Sequence, residues 1–596
     1  MRKHALVTAA APSPARPSAP RRAAAWFRRS ENGALIVLSL AVGVLAGFGA
    51  IAFRWLIERA TWIFSGHADY AGTTGHPEHP WLPWLGGFFV VLAPAVGGLI
   101  YGPLVAKFAP EARGHGVPEV MYAIHRRGGR IPAKVAFVKA LASAITIGSG
   151  GSVGREGPIV QIGSAVGSTL GRWVRLNESQ LRLLVACGAA GGIAATFNAP
   201  IAGVFFALEL LLGSVAARHF GSIVIAAVTA SVIGRAVMGD EAFLVLPEFS
   251  VEHLTEYGLY VVLGLLAALV GLGFTRALYW IEDLCDRVWR GPEWARPAVG
   301  GLLLGLLLLA IPQMYGVGYP VLEGAVMGQY TVAFLLVMLV AKVIATSLTI
   351  GIGGSGGVFA PSLFLGAMFG AAFGQTADML MPGLDLNPGA YALVAMAAVF
   401  AGSARAPLTA VIILFELTGE YTIILPLMLA VAVATLVSAR LSKDTIYTLK
   451  LRRRGIDIGE RPAQHPLEGV TVGDLMAATP PTLGEDLPAD DAMRALIAAR
   501  RHALPVVDAH GTLTGIATTS AAASAVADDD DVADVTVASL LEWRTPVSPE
   551  TPVTEVLDAV VEDDGADGLA VVDQAGVLVG WLPQEAVLRR LTPTRD

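Results

Sequence analysis

The chain has 596 residues, 54% of them hydrophobic and only 15% charged, with mean hydropathy +0.60. Soluble domains carry about 25% charged residues, so a soluble enzyme or nucleic-acid binder is excluded and an integral membrane protein is expected. The net charge of −7 joins two unlike parts: residues 460–596 hold 24 Asp+Glu and 8 Lys+Arg, which leaves 25 acids and 34 bases to residues 1–459. Two cysteines, Cys187 and Cys285, exclude a disulfide framework or a Cys-rich metal centre.

Residues 1–30 carry seven Lys+Arg and no acid among Ala and Pro, which predicts a disordered basic cytoplasmic arm. The apolar run Ala34–Phe53 follows without a small-residue cleavage pattern, so it reads as a first membrane helix rather than a signal peptide. The basic arm at one end and Lys450–Arg454 at the other place both termini in the cytoplasm by the positive-inside rule. Further apolar segments lie at 83–106, 179–196, 200–213, 220–238, 257–280, 297–312, 331–350, 388–402 and 423–440. Several are short and broken by Gly or Pro. Lipid tolerates an interrupted helix only where protein or a wet cavity satisfies the freed backbone, so these breaks predict a substrate path.

An internal repeat organises the region. Residues 148–172 lie on 351–375 without gaps, and nine of 25 positions agree: Gly148, Gly150, Gly151, Ser152, Gly154, Pro158, Gly163, Gly167 and Gly171. Residues 197–210 lie on 404–417, pairing Ala199-Pro200 with Ala406-Pro407 and Glu209 with Glu416. A membrane domain over 31–455 with halves at about 30–215 and 250–440 is expected. After a linker at 456–470 a second duplication appears, 471–526 and 535–592, each a strand, a turn at Asp508 or Asp573, another strand and a helix. The acidic run Ala527–Asp534 joins these α/β units.

Four turns open predicted helices at membrane depth: Gly114-His115-Gly116-Val117-Pro118, the 154–158 turn, the 356–361 turn and, less regularly, 197–200. A helix start exposes about four unpaired N–H groups and roughly half a positive charge. Glycine admits a ligand close to the backbone, and proline in the first turn costs no donor. Several such starts at the midplane predict an anion site without a lysine in contact.

The motifs GHGVP, GREGP and GGVFAP, in this order and separation, resemble the three signatures of the CLC chloride channel and transporter family, over about 30–455. The tail resembles the paired CBS domains that many of its members carry. The resemblance implies a polytopic all-α membrane fold of two inverted repeats with discontinuous helices, followed by a cytoplasmic α/β CBS pair. It also implies a homodimer with one anion path per subunit, embedded in the cell (plasma or inner) membrane, with chloride and protons as partners and no cofactor.

By that resemblance Glu156 is the gate and Arg155 and Gly157 flank it. The physics agrees, since an ionised carboxylate is a tethered anion and protonation frees its place. The amides of Val358 and Phe359 are expected at the anion, together with Gly114, His115, Gly116, Val117 and Pro118 of the first signature and the hydroxyl of Tyr447. His115 stands where the family usually has serine. Either its ring donates to the anion, adding charge when protonated, or it turns away and backbone N–H groups bind.

Proton-coupled members typically have a second carboxylate after the position of Glu209; here Leu210 stands there. A leucine relays no proton, so the expected activity is a passive, voltage- or pH-gated chloride channel. The alternatives are a chloride/proton antiporter or a carrier of another anion such as nitrate or fluoride. Glu209 and Glu416 are expected to brace helices. Lys134 and Lys139 are read as adding positive potential to the access path, with snorkelling the alternative for Lys134, and Glu119 as capping its helix. In the CBS-like pair the ribose-binding Asp positions hold Ala521 and Ala586, which argues for a gating or dimerising module over an adenine-nucleotide receptor. No HExxH and no Walker A sequence is present, which excludes a zinc protease and an ATP-driven pump.

Overall fold

A computed structural model describes residues 31–72, 77–213, 217–239, 254–457, 467, 469–528, 535–561 and 567–591. The expected basic arm, most of the 456–470 linker and most of the acidic linker lie outside the described residues. The chain divides into two units, Met1–Ile458 and Gly459–Asp596.

The first unit is helical. Its α-helices are α1 (Glu31–Ser65), α2 (Phe89–Phe108), α3 (Val117–Arg126), α4 (Ala133–Gly148), α5 (Glu156–Trp173), α6 (Glu178–Phe197), α7 (Pro200–Phe206), α8 (Ala217–Met238) and α9 (Glu256–Val288). The series continues with α10 (Arg296–Ala310), α11 (Tyr319–Val326), α12 (Val332–Gly351), α13 (Phe359–Leu380), α14 (Pro388–Ala404), α15 (Pro407–Thr418), α16 (Ile424–Leu441) and α17 (Thr448–Arg452). Among the described residues, eight helical stretches are long and apolar enough to cross a bilayer. With 35 and 33 residues, α1 and α9 would each run about 50 Å at 1.5 Å per residue. That exceeds a hydrocarbon core of about 30 Å, so both must tilt.

The two halves are inverted about an axis at which equivalent residues meet. Gly154 donates its N–H to the carbonyl of Gly357 (2.8 Å), and Gly357 returns the bond to Gly154 (2.6 Å), an antiparallel bridge between positions matched by the repeat. Ser152 N donates to Thr349 Oγ1 (3.2 Å) and Ser355 N to Thr146 Oγ1 (3.3 Å), again a matched pair of bonds. Between α2 and α10 a side chain on Gly98 or Gly102 would strike the backbone of Pro297 or Trp294. One on Gly301 or Gly305 would strike that of Pro94 or Val91. These two small-xxx-small stripes let the helices approach to backbone contact, which dispersion and packing favour in lipid, where no hydrophobic force drives association.

The second unit holds two similar layers. In the first, β1 (Leu483–Gly484) pairs parallel with β2 (Ala503–Val507), which pairs antiparallel with β3 (Leu513–Thr518). In the second, β4 (Gly568–Val572) pairs antiparallel with β5 (Leu578–Pro583). Both hairpins slip register at one place, Val506/Val507 and Val571/Val572. Asp508 Oδ1 accepts from the amides of His510 and Thr512, and Asp573 Oδ1 from those of Ala575 and Val577, so the same Asx turn closes each. The turns bond to one another through Leu513 N to Gly576 O and Leu578 N to Gly511 O, over a buried Trp581.

Candidate functional site at the converging helix starts

Each glycine turn of the first unit does start a helix. Gly116, at φ 80°, precedes α3; Arg155 precedes α5; Val358 precedes α13; and Ala199 precedes α7. A positive φ at Gly116 is open to glycine at little cost, and a side chain there would also meet the carbonyl of Gly157 at 2.7 Å. A fifth turn escaped the sequence reading. Gly316-Val317-Gly318-Tyr319-Pro320 opens α11 with Gly318 at φ 89° and repeats the glycine and proline spacing of the 114–118 turn 202 positions on.

Glu156, 99% buried, lies where the starts of α5, α11 and α13 meet, with the 114–118 turn packed on Gly157; the α7 start stands apart, its amides bound by Glu416. Its Oε1 accepts from the Tyr319 hydroxyl (3.3 Å), and its Oε2 faces the amide of Ala360 in the first turn of α13 (3.4 Å). A side chain on Gly154 would fall on Oε2, and one on Gly357 would come within 2.9 Å of it. The carboxylate thus sits in a backbone cradle that only glycine leaves open, between N-termini whose dipoles favour negative charge. The amides of Val358 and Phe359, buried with their side chains, head the same helix. Beside the carboxylate, the Arg155 guanidinium stacks over Tyr319 and Phe197 and donates to the Thr196 carbonyl (3.4 Å). Arg155 and Tyr319 open on a cavity of 310 Å³ that Arg54, Asn198 and Arg235 also line.

His115 and Tyr447 are buried next to this site, their ring centroids 6.3 Å apart. The His115 carbonyl packs directly on Gly157. His115 Nε2 lies 3.4 Å from the hydroxyl of Tyr279, and that hydroxyl donates to the Ile446 carbonyl at 2.6 Å. Sequence reasoning missed Tyr279, which projects from the middle of α9. It also lines a second cavity, of 460 Å³, with Arg113, Glu282, Asp283, Asp286, Lys450, Arg453 and Arg454. Among these Lys450 pairs with Glu282 at 2.9 Å, and Arg453 pairs with Asp283.

The flanking charges depart from expectation at one residue. Lys139 does not face an access path: it is fully buried, and its ammonium donates to the carbonyls of Ala112 (2.9 Å) and Gly114 (2.6 Å). Its repeat mate Lys342 does the same for the fifth turn, donating to Val317 (2.7 Å), Gly316 (3.4 Å) and Ser152 Oγ (3.0 Å). A buried ammonium must spend its donors on carbonyls, which here fixes the backbone of both glycine turns. Lys134 is exposed on α4 and joins no part of the site. Glu119 stands in the first turn of α3, where its charge suits the helix start, and its carboxylate holds Arg454. Glu209 and Glu416 each bond the amides that start the other half's helix.

Inverted halves, broken helices and a central cluster of helix starts define a class of membrane protein in which backbone N–H groups, not side-chain cations, surround a path. The chain belongs to the CLC family: the family model described as voltage gated chloride channel matches residues 97–439, and the CBS domain model matches 472–528 and 545–593. It is 34% identical over 437 residues to an H(+)/Cl(−) exchange transporter ClcA of Vibrio parahaemolyticus, covering 72% of this chain and 91% of that one. It is 33% identical over 430 residues to a putative chloride channel protein ClcB-like of Ralstonia nicotianae, covering 71% and 98%. Among solved structures it is similar to a slow cyanobacterial Cl−/H+ antiporter, with TM-score 0.63 and 28% identity over 70% of this chain and 97% of that one. A CLC-type fluoride/proton antiporter gives 0.59 and 26% over the same shares.

Proposed function

We propose that the protein exchanges chloride for protons across the membrane, with Glu156 as the group that serves both. The observation that carries this reading is the seat of its carboxylate, buried among the starts of α5 and α13 where an anion is favoured. Ionised, the side chain occupies that seat. Protonated, it is neutral, leaves the seat to chloride and carries a proton with it, so one residue alternates the two cargoes. Gly114, His115, Gly116, Val117, Pro118, Arg155, Gly157, Val358, Phe359 and Tyr447 form the remainder of the anion site in this reading.

The passive channel expected from Leu210 yields to exchange as the preferred reading. ClcA relatives bear the name of exchange transporters, and two of the similar structures are described as proton antiporters. Leu210 removes one carboxylate and not the chemistry of Glu156. We further propose a homodimer in the cell membrane with both termini cytoplasmic. Its CBS pair acts as a gating module without bound nucleotide, because Ala521 and Ala586 offer no ribose acceptor. Purified protein in chloride-loaded liposomes tests the central reading: an outward chloride gradient drives protons inward against their own gradient. Chloride efflux with no proton movement would return the channel reading, and parallel runs with nitrate and fluoride rank the anions.

A further inference from the structure

We infer that His115 is a second proton-carrying residue of the path, passing protons between Glu156 and the cavity lined by Tyr279. The inference rests on the exchange reading. A titratable side chain on the Tyr279 side shortens the proton's route from Glu156, and Leu210 has no acceptor atom to supply one.

The hydrogen bonds of Tyr279 decide the tautomer of His115. The single hydroxyl hydrogen of Tyr279 is committed to the Ile446 carbonyl at 2.6 Å, so toward His115 the hydroxyl offers only a lone pair. Nε2, at 3.4 Å, therefore carries the ring hydrogen. Nδ1 is left as the lone-pair nitrogen, and among the described residues it is buried with no hydrogen-bond partner. A buried unpaired acceptor is costly, and the ring pays that cost in a site otherwise rich in donors. Two consequences follow. The neutral ring has no N–H left to offer an anion, so it does not replace the serine hydroxyl. It is instead a base within the path, and it becomes an anion donor only on taking up a proton.

The step balances. The O–H bond of protonated Glu156 breaks with its electrons left on the carboxylate, and an N–H bond forms at Nδ1, with water carrying the proton across the interval. The Nδ1–H bond of the imidazolium then breaks with its electrons left on the ring, water carries the proton to the Tyr279 cavity, and the neutral Nε2–H tautomer returns. The groups facing His115 set when this can occur. From α4 the group is Lys139, bonded to the adjacent Gly114 carbonyl; from α9, Tyr279; from the 447–454 segment, Tyr447, Lys450 and Arg454, the last two paired with Glu282 of α9 and Glu119 of α3. Lys450 lies against Gly114, near enough that a side chain there would meet its Nζ at 3.1 Å. An imidazolium among three cations gains most from a bound chloride. Proton uptake at His115 and anion occupancy thereby reinforce one another, which is a coupling free energy between the two cargoes.

The test is the proton-to-chloride ratio of full-length protein in liposomes, measured for wild type, His115→Ser and His115→Ser with Leu210→Glu. The turn 207–212 packs against α3, so Leu210→Glu restores a carboxylate beside the helix that His115 precedes. The expected result is a ratio at least tenfold lower in His115→Ser and recovered in the double variant. A ratio does not depend on how much protein is folded; if His115→Ser carries no chloride, His115→Gln, which also lacks a basic nitrogen, supplies the reading. An unchanged ratio in a coupled wild type overturns the relay alone. A wild type that moves chloride without protons overturns the exchange reading itself.

Discussion

Glu209 and Glu416 close a reciprocal clasp between the two halves of the membrane unit. Glu209, just after α7, accepts from the amides of Leu408 (3.1 Å) and Thr409 (2.8 Å) and from the Thr409 hydroxyl (2.7 Å) at the start of α15. Glu416, on α15, accepts from the amides of Ile201 (3.0 Å) and Ala202 (2.6 Å) at the start of α7. Each helix therefore carries the cap of the other, antiparallel one.

Removing either carboxylate should weaken the fold without changing what it transports. Glu209→Ala leaves two orphan amides and Glu416→Ala another two, a loss of about 1–2 kcal/mol each on the scale of helix caps. Both variants are expected to melt earlier in detergent, while the order of anions in a flux assay stays that of wild type. A changed anion order would mean that these carboxylates belong to the path.

The proposed role of Glu156 makes a sharper prediction. Glu156→Gln keeps the shape of the side chain and removes its charge and its proton. Chloride flux should then lose the part of its pH dependence that Glu156 sets, leaving only that of His115, and proton movement should fall to the background of empty liposomes. Persisting coupled proton movement in Glu156→Gln would remove this residue from the mechanism.

Much of this site was legible because its chemistry is written into short stretches. Gly154, Glu156 and Pro158 stand within five residues, and the need for an open cradle at a helix start explains each type. The repeat was legible for the same reason, since Gly154 and Gly357 must both lack a side chain where they bond across the axis. Tyr279 had no such local mark. It is one aromatic among many on a 33-residue apolar helix, and its part depends on meeting His115, 164 positions earlier. Lys139 was misread because its partners, the carbonyls of Ala112 and Gly114, carry no side-chain signature. The fifth turn had a usable signal: Gly316, Gly318 and Pro320 repeat the spacing of Gly114, Gly116 and Pro118.

The CBS pair should be silent to adenine nucleotides. Ala521 lies on the helix that follows β3, and Ala586 on the helix that follows β5, the two positions where the CBS resemblance implies a ribose-binding carboxylate. Calorimetry of the purified protein with ATP or AMP is expected to give no binding heat, and liposome flux is expected to be the same with and without nucleotide. Saturable heat would show a recognition mode that does not use those positions.

The two buried lysines should separate binding from gating. Lys139 holds the carbonyls of the turn that carries His115, and Lys342 holds those of the turn that carries Tyr319, the hydroxyl donor to Glu156. Lys139→Met leaves two buried carbonyls without their donor, and hydrogen bonds to charged groups contribute about 1.5–3 kcal/mol each. If half of one such bond is felt at the anion, chloride binding weakens by about four- to twelvefold. Lys342→Met relaxes the other turn, so its effect should fall on how Glu156 responds to pH, with chloride affinity changed less. Chloride titration by calorimetry together with flux across pH 4–8 distinguishes the two. Equal effects of both variants on affinity would mean that the turns act as one unit around the anion, and that the repeat, though symmetric in its bonds, is not divided in its work.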